Sequence, residues 1–217
     1  MSTVRFLYQT IEFDNMDIHL KTLRDKQQYD EKYDKKNIEG LSSANWSIFG
    51  VLWPSSKVLA NLMQDYDLEN KRILEVGGGI ALSSLILNHR NADITVTDFN
   101  PEVKKFLDVN SKLNDDRDIP FICANWIDSD DELGLFDLII GSDILYEQFH
   151  LEDLSRFLDD HTAEKCKIIV VDPGRGNHSK FSKMMVSLGY KHTQYKPQNT
   201  EEYLDTPFKG EVIEYHK

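Results

Sequence analysis

From Lys71 onward, short apolar runs alternate with segments whose apolar positions recur at helical spacing. KRILEVG, ADITVTD, IPFICAN, FDLIIGSDI and CKIIVVD are short, apolar and bounded by turn formers, which predicts strands. Between them, ALSSLILNHR, PEVKKFLDVNSKLN, HLEDLSRFLDDHT and HSKFSKMMVSLG predict helices. The tail adds two weaker strands, near 190–195 and 211–216. Strands this apolar are buried on both faces. The alternation therefore predicts an α/β chain, with a mostly parallel, doubly wound sheet carrying helices on both sides.

Upstream the pattern changes. Val58, Leu59, Leu62 and Met63 recur at helical spacing behind Pro54. Proline suits a first helical turn, where its missing N–H would have no partner, so a helix is predicted over about 54–65. Residues 14–40 are polar and charged, with Ile18, Leu20 and Leu23 as sparse aliphatic contacts. They read as a solvated helix laid over the domain edge, then a loop ending at Gly40. The expected organisation is a charged helical extension over 1–45 and one main domain over 46–217. No internal repeat or low-complexity linker divides it further.

Composition narrows the partners. A chain of 217 residues that is 40% hydrophobic can bury one substantial core. A net charge of −12 disfavours a phosphate backbone as the main partner and suits a basic, lysine-bearing protein. Cys123 and Cys166 both fall in predicted strands without a pairing pattern, so buried thiols in a reducing, cytoplasmic setting are expected. The first residues hold no uninterrupted apolar core of a secretory signal, and no run of about 18 apolar residues predicts a membrane span.

The chemistry concentrates at predicted strand ends, where open α/β sheets bind ligands. ILEVGGGIALSS turns from strand to helix through Gly77-Gly78-Gly79. No lysine occurs in this turn, so it is not a triphosphate-binding P-loop. Leu82 occupies the third glycine slot of a dinucleotide turn, where its bulk hinders close helix–strand approach. Asp98 ends the second strand about 20 residues on, where a carboxylate can accept both hydroxyls of a ribose. Asn100 precedes Pro101 as a helix cap. Asn125 could bond an adenine edge and Trp126 cover its face. Ser142, Asp143 and Tyr146 end the fourth strand. Asp143 could bind an amino group of a ligand or face an acceptor, and Tyr146 could wall the reacting atoms. Arg175 lies in a glycine-containing loop, DPGRGNHSKF, able to sit close to a substrate. Each also has a plain reading as a cap, a turn or a core side chain.

Together these elements resemble class I, seven-β-strand methyltransferases, whose turn carries an acidic residue and then G-x-G-x-(G or A), here Glu75, Gly77, Gly79 and Ala81. The chain is more narrowly similar to family 16 of the protein-lysine methyltransferases. The likeness spans about 46–217 and rests on Trp53-Pro54, LEVGGGIA, TDFNP, ANW and SDILYE. VDPGR at 171–175 is similar to an element of the lysine methyltransferases of the electron-transfer flavoprotein β subunit. The resemblance implies a Rossmann-like sheet of order 3-2-1-4-5-7-6, with strand 7 antiparallel. It implies S-adenosylmethionine as cofactor, held by Trp53, Glu75, Gly77, Gly79, Asp98, Asn100, Asn125, Trp126, Ser142 and Asp143. Asp143 and Tyr146 would serve the reaction. A lysine-bearing protein is then the expected substrate, with no nucleic acid, metal or membrane, and a monomer is compatible with this. Small-amine methyltransferases share the fold and form the alternative.

Methyl transfer from a sulfonium is an in-line displacement that asks the protein mainly for positioning, with donor and acceptor about 3 Å apart. The chain agrees by omission, having neither H-E-x-x-H nor G-x-S-x-G. A lysine acceptor carries one cost. With an ordinary pKa near 10.4, roughly one amine in 2500 is neutral at pH 7, equivalent to about 4.6 kcal/mol.

Overall fold

The computed structural model describes residues 4–24, 49–68, 70–127 and 132–217. The chain begins with β1 (Phe6–Phe13) and β2 (Met16–Leu23), followed by α1 (Pro54–Gln64). The alternating part contains β3 (Arg72–Val76), α2 (Leu82–His89), β4 (Asp93–Asp98), α3 (Glu102–Leu113), β5 (Phe121–Cys123) and β6 (Phe136–Ser142). It continues with α4 (Leu151–Asp160), β7 (Thr162–Asp172), α5 (His178–Ser187), β8 (Lys191–Tyr195) and β9 (Glu211–His216).

Seven strands form one sheet in the order β5-β4-β3-β6-β7-β9-β8. β9 runs antiparallel to both β7 and β8, while the other pairs are parallel. This is the order and polarity that the resemblance implies. The strands bury both faces by strict alternation. Ile73, Leu138, Ile140, Ile169 and Val171 belong to the core cluster shared with α1, α2 and α3. Leu74, Val76, Ile139, Ile168 and Val170 turn the other way, into the cluster shared with α4 and α5. Pro54 is the first residue of α1, as its missing N–H predicts.

The expected helix after residue 14 is corrected: Met16–Leu23 is a strand, paired with Phe6–Phe13 across a tight turn in which Phe13 faces Met16. Ile18 and Leu20 alternate with exposed Asp17 and His19, a period of two in place of the expected helical contacts. The far edge of β2 is closed by side chains of α3 and of the residue that follows it. Asn110 Oδ1 accepts the Lys21 N–H at 2.7 Å, and its amide donates to Lys21 O at 3.3 Å. One turn later Asn114 Oδ1 accepts the His19 N–H at 2.8 Å and its amide donates to His19 O at 2.9 Å. The two asparagines stand in for a neighbouring strand. The rest of the expected extension, its loop to Gly40 and the division at 45 lie outside the described residues.

Two smaller expectations also change. Cys166 is buried, whereas Cys123 is exposed because β5 stops at it, at the edge of the sheet. Helix α3 starts at Glu102, one residue later than the Asn100–Pro101 pair predicts, although Asn100 Oδ1 does cap it by accepting the Glu102 N–H at 3.0 Å. Among the described residues, no helix is long and apolar enough to cross a membrane.

Candidate functional site

The carboxyl ends of β3, β4, β5 and β6 open onto one cleft, where the chain order reverses across the sheet. Beyond β3 the chain turns through Gly77-Gly78-Gly79. Gly78 is pressed against β4: a Cβ there would lie 2.5 Å from Val96 Cγ1. Its N–H donates to Thr97 O at 3.0 Å. Gly79 has φ +57°, and a Cβ on it would meet nothing within 4 Å, because that side of the turn faces the cleft. Ala81, in the slot of a third glycine, is buried and left-handed at φ 56° and ψ 42°. A Cβ in that conformation costs on the order of 1 kcal/mol, which glycine avoids.

Asp98 locks this turn to the end of β4. Its Oδ2 accepts the Gly79 N–H at 2.9 Å and its Oδ1 the Asn100 N–H at 2.8 Å. Burial raises its carboxyl above the usual range, opposed by the N–H donors of Asn100 and Gly79. Trp53, Gly77, Gly79, Asp98, Asn100, Asn125, Trp126, Ser142, Asp143 and Tyr146 all line the cleft. Asn125 Oδ1 accepts the Ile127 N–H at 3.2 Å, which holds the loop after β5. Trp126 meets His150 edge to face, with ring centroids 6.3 Å apart.

Glu75 is the expected site residue that the structure places elsewhere. It is buried beneath the turn, outside the cleft lining. Its Oε2 accepts the Ser84 N–H at 3.0 Å and also the Ser84 hydroxyl. Desolvation pushes its carboxyl up to about 7 against those donors. Its observed contacts tie β3 to α2, so it holds the turn from below.

At the end of β6, Asp143 has φ +56°, and its N–H donates to Val171 O at 2.9 Å. Its carboxylate forms a two-pronged ion pair with Arg175, Nε to Oδ1 at 2.5 Å and Nη2 to Oδ2 at 2.7 Å. Tyr146 stands beside them, its hydroxyl raised by burial and then by the carboxylates of Asp98, Glu147 and Asp143. Arg175, whose glycine-containing loop is expected to sit close to a substrate, therefore reaches the site. Phe49, Val51, Ile80, Phe99, Ile144 and His150 also line the cleft and were not foreseen. Phe99 and Ile144 directly follow predicted site residues, a signal that adjacency carried. For His150 no sequence signal existed.

The fold and the strand-end cleft are those of the Rossmann-like, class I methyltransferases. The guanine-N2 methyltransferase of 16S ribosomal RNA from Thermus thermophilus, solved with S-adenosylmethionine and guanosine, superposes with a TM-score of 0.67 at 11% identity, covering 100% of this chain and 51% of that one. Within that class the chain belongs to the Lysine methyltransferase family, whose model matches residues 32–187. It is 28% identical over 150 residues to the protein N-lysine methyltransferase METTL21A of Xenopus tropicalis, covering 64% of this chain and 67% of that one. It is 32% identical over 111 residues to the histone-arginine methyltransferase METTL23 of Xenopus laevis, covering 48% and 47%. Across the curated relatives it matches, the chain spans about half of their length, from 45% to 67%.

Proposed function

We propose that this chain is an S-adenosylmethionine-dependent methyltransferase acting on the side-chain amine of a lysine in a protein. Membership of the lysine methyltransferase family supports the reaction. The observation that carries it is the cleft itself, in which a glycine turn and a buried-side carboxylate meet at adjacent strand ends while an acid–aromatic pair stands beyond them. The residues present fit the donor. The open face of Gly79 leaves room that a Cβ would fill. Asp98 would take the ribose hydroxyls, and Asn125 with Trp126 the adenine. Trp53, Gly77, Asn100, Ser142 and Asp143 would complete the seat, with Glu75 supporting the turn from beneath.

Bound there, the donor supplies a sulfonium methyl, which passes to the amine's lone pair as the C–S electrons return to sulfur and the amine's extra proton leaves to solvent. The protein's share is orientation and exclusion of water. Tyr146 lines the approach to the acceptor, where its ring can make a cation–π contact with an ammonium.

The net charge of −12 supports a basic protein as partner and speaks against nucleic acid. The free thiols of Cys123 and Cys166 support a reducing, cytoplasmic setting, and a monomer suffices for the reaction. The likeness to the frog histone-arginine methyltransferase favours a second reading, in which the acceptor is a guanidinium. Protein extract incubated with tritiated S-adenosylmethionine and this enzyme, then hydrolysed in acid, separates the two. Label in methyl-lysine is expected. Label in methyl-arginine alone would select the second reading, and label confined to small molecules would overturn both.

A further inference from the structure

The Asp143–Arg175 pair poses an electrostatic question. Asp143 stands at the end of β6, and Arg175 arrives from the loop after β7, 32 residues later. The loop is fastened on both sides of the arginine. Asp172, 1% exposed, accepts the Gly174 N–H at 2.9 Å. Asn177 donates to Leu145 O at 2.7 Å, inside the segment that joins Asp143 to Tyr146. Both Asp143 and Arg175 line the cleft.

A lone carboxylate at this position would stabilise every cation that enters. It would hold the sulfonium of the donor, which must lose its charge in the reaction. It would hold an acceptor amine as ammonium, which has no lone pair to attack. A guanidinium clamped on both carboxylate oxygens removes most of that field. The other carboxylate of the lining, Asp98, ends β4, two strands from β6 in the sheet, and already accepts two backbone N–H groups.

We propose that Arg175 is a charge-setting residue: by neutralising Asp143 it removes that carboxylate's negative charge from the reaction end of the cleft. The cleft then favours cationic donor and protonated acceptor over their neutral forms less than it would with Asp143 unpaired. This rests on the donor reading above and adds a role for Arg175. Arg175 acts through Asp143, so it is a positioning residue and not a catalytic one.

S-Adenosylmethionine and S-adenosylhomocysteine differ by one methyl and one positive charge, so their affinity ratio reports the potential near the sulfur. Both are titrated calorimetrically at pH 8 into the parent, Arg175→Gln, Arg175→Lys and the double variant Asp143→Asn/Arg175→Gln. Arg175→Gln is expected to shift the ratio about tenfold toward the cationic ligand, the order expected for one unpaired charge several ångströms away at intermediate dielectric. Arg175→Lys retains the parent ratio, and the double variant returns to it. An unchanged ratio in Arg175→Gln, with both ligands still bound, would overturn the proposal. A similar shift in Arg175→Lys would overturn it too, because loop geometry and not charge would then be the cause. Failure of the parent to bind either ligand would instead remove the donor reading, and this inference with it.

Discussion

Asp98 Oδ2 accepts the backbone N–H of Gly79 at 2.9 Å, so the end of β4 holds the turn that follows β3. One carboxylate thus both shapes the glycine turn and forms part of the cleft wall. Replacing it by alanine leaves the N–H groups of Gly79 and Asn100 without their acceptor, at about 1–3 kcal/mol for loss of a buried partner. Asp98→Ala is expected to melt at lower temperature and to lose at least tenfold in S-adenosylhomocysteine affinity. Unchanged affinity in calorimetry would remove Asp98 from the ligand site.

Glu75 makes stability depend on pH. Its folded carboxyl titrates near 7, above the ordinary value of 4.5, because burial disfavours the charge. Between those values the folded state binds more protons than the unfolded one, so stability falls as pH rises. The contribution is full below about pH 4.5 and is lost as pH passes 7. The shift corresponds to about 3 kcal/mol. Glu75→Gln keeps an acceptor for the Ser84 N–H without the charge. The parent should therefore lose stability relative to Glu75→Gln between pH 5 and 8, measured by urea unfolding at each pH. Parallel pH profiles for the two proteins would refute the assignment.

Tyr146 separates binding from turnover. Its side chain lines the cleft with Asp143 and Arg175, whereas the glycine turn is held by the Gly79–Asp98 hydrogen bond. Tyr146→Ala is expected to lower methyl transfer at least tenfold while changing S-adenosylhomocysteine affinity by less than about threefold. Turnover equal to the parent's would end its proposed role.

The N-terminal hairpin depends on Asn110. This side chain is fully buried and satisfies both the N–H and C=O of Lys21. Asn110→Ala strands those groups and should destabilise by about 1–3 kcal/mol. Amide exchange should accelerate in Met16–Leu23 more than in β3 or β6. Equal acceleration throughout would show that the hairpin is not held by this contact.

The sequence alone determined the layered architecture, since five apolar β-rich runs alternating with helical periodicities admit little else. It also located most of the cleft. Glycines at a strand end and carboxylates at the next ones are local signals, and Asp98, Asp143 and Tyr146 were legible for that reason. The hairpin is not legible because only Ile18 and Leu20 carry the period of two: a polar residue, Thr22, takes the next inward position, and Leu23 is buried out of phase. Its outer edge is satisfied by Asn110 and Asn114, about 90 residues away, which no local pattern reveals. Only tertiary structure decided that Glu75 faces Ser84 beneath the turn, that His150 meets Trp126, and that Arg175 clamps Asp143. In a strand, alternation assigns a face but not the partner across it. Those partners come from separate loops, and their distances and charges exist only once the sheet has brought the strand ends together.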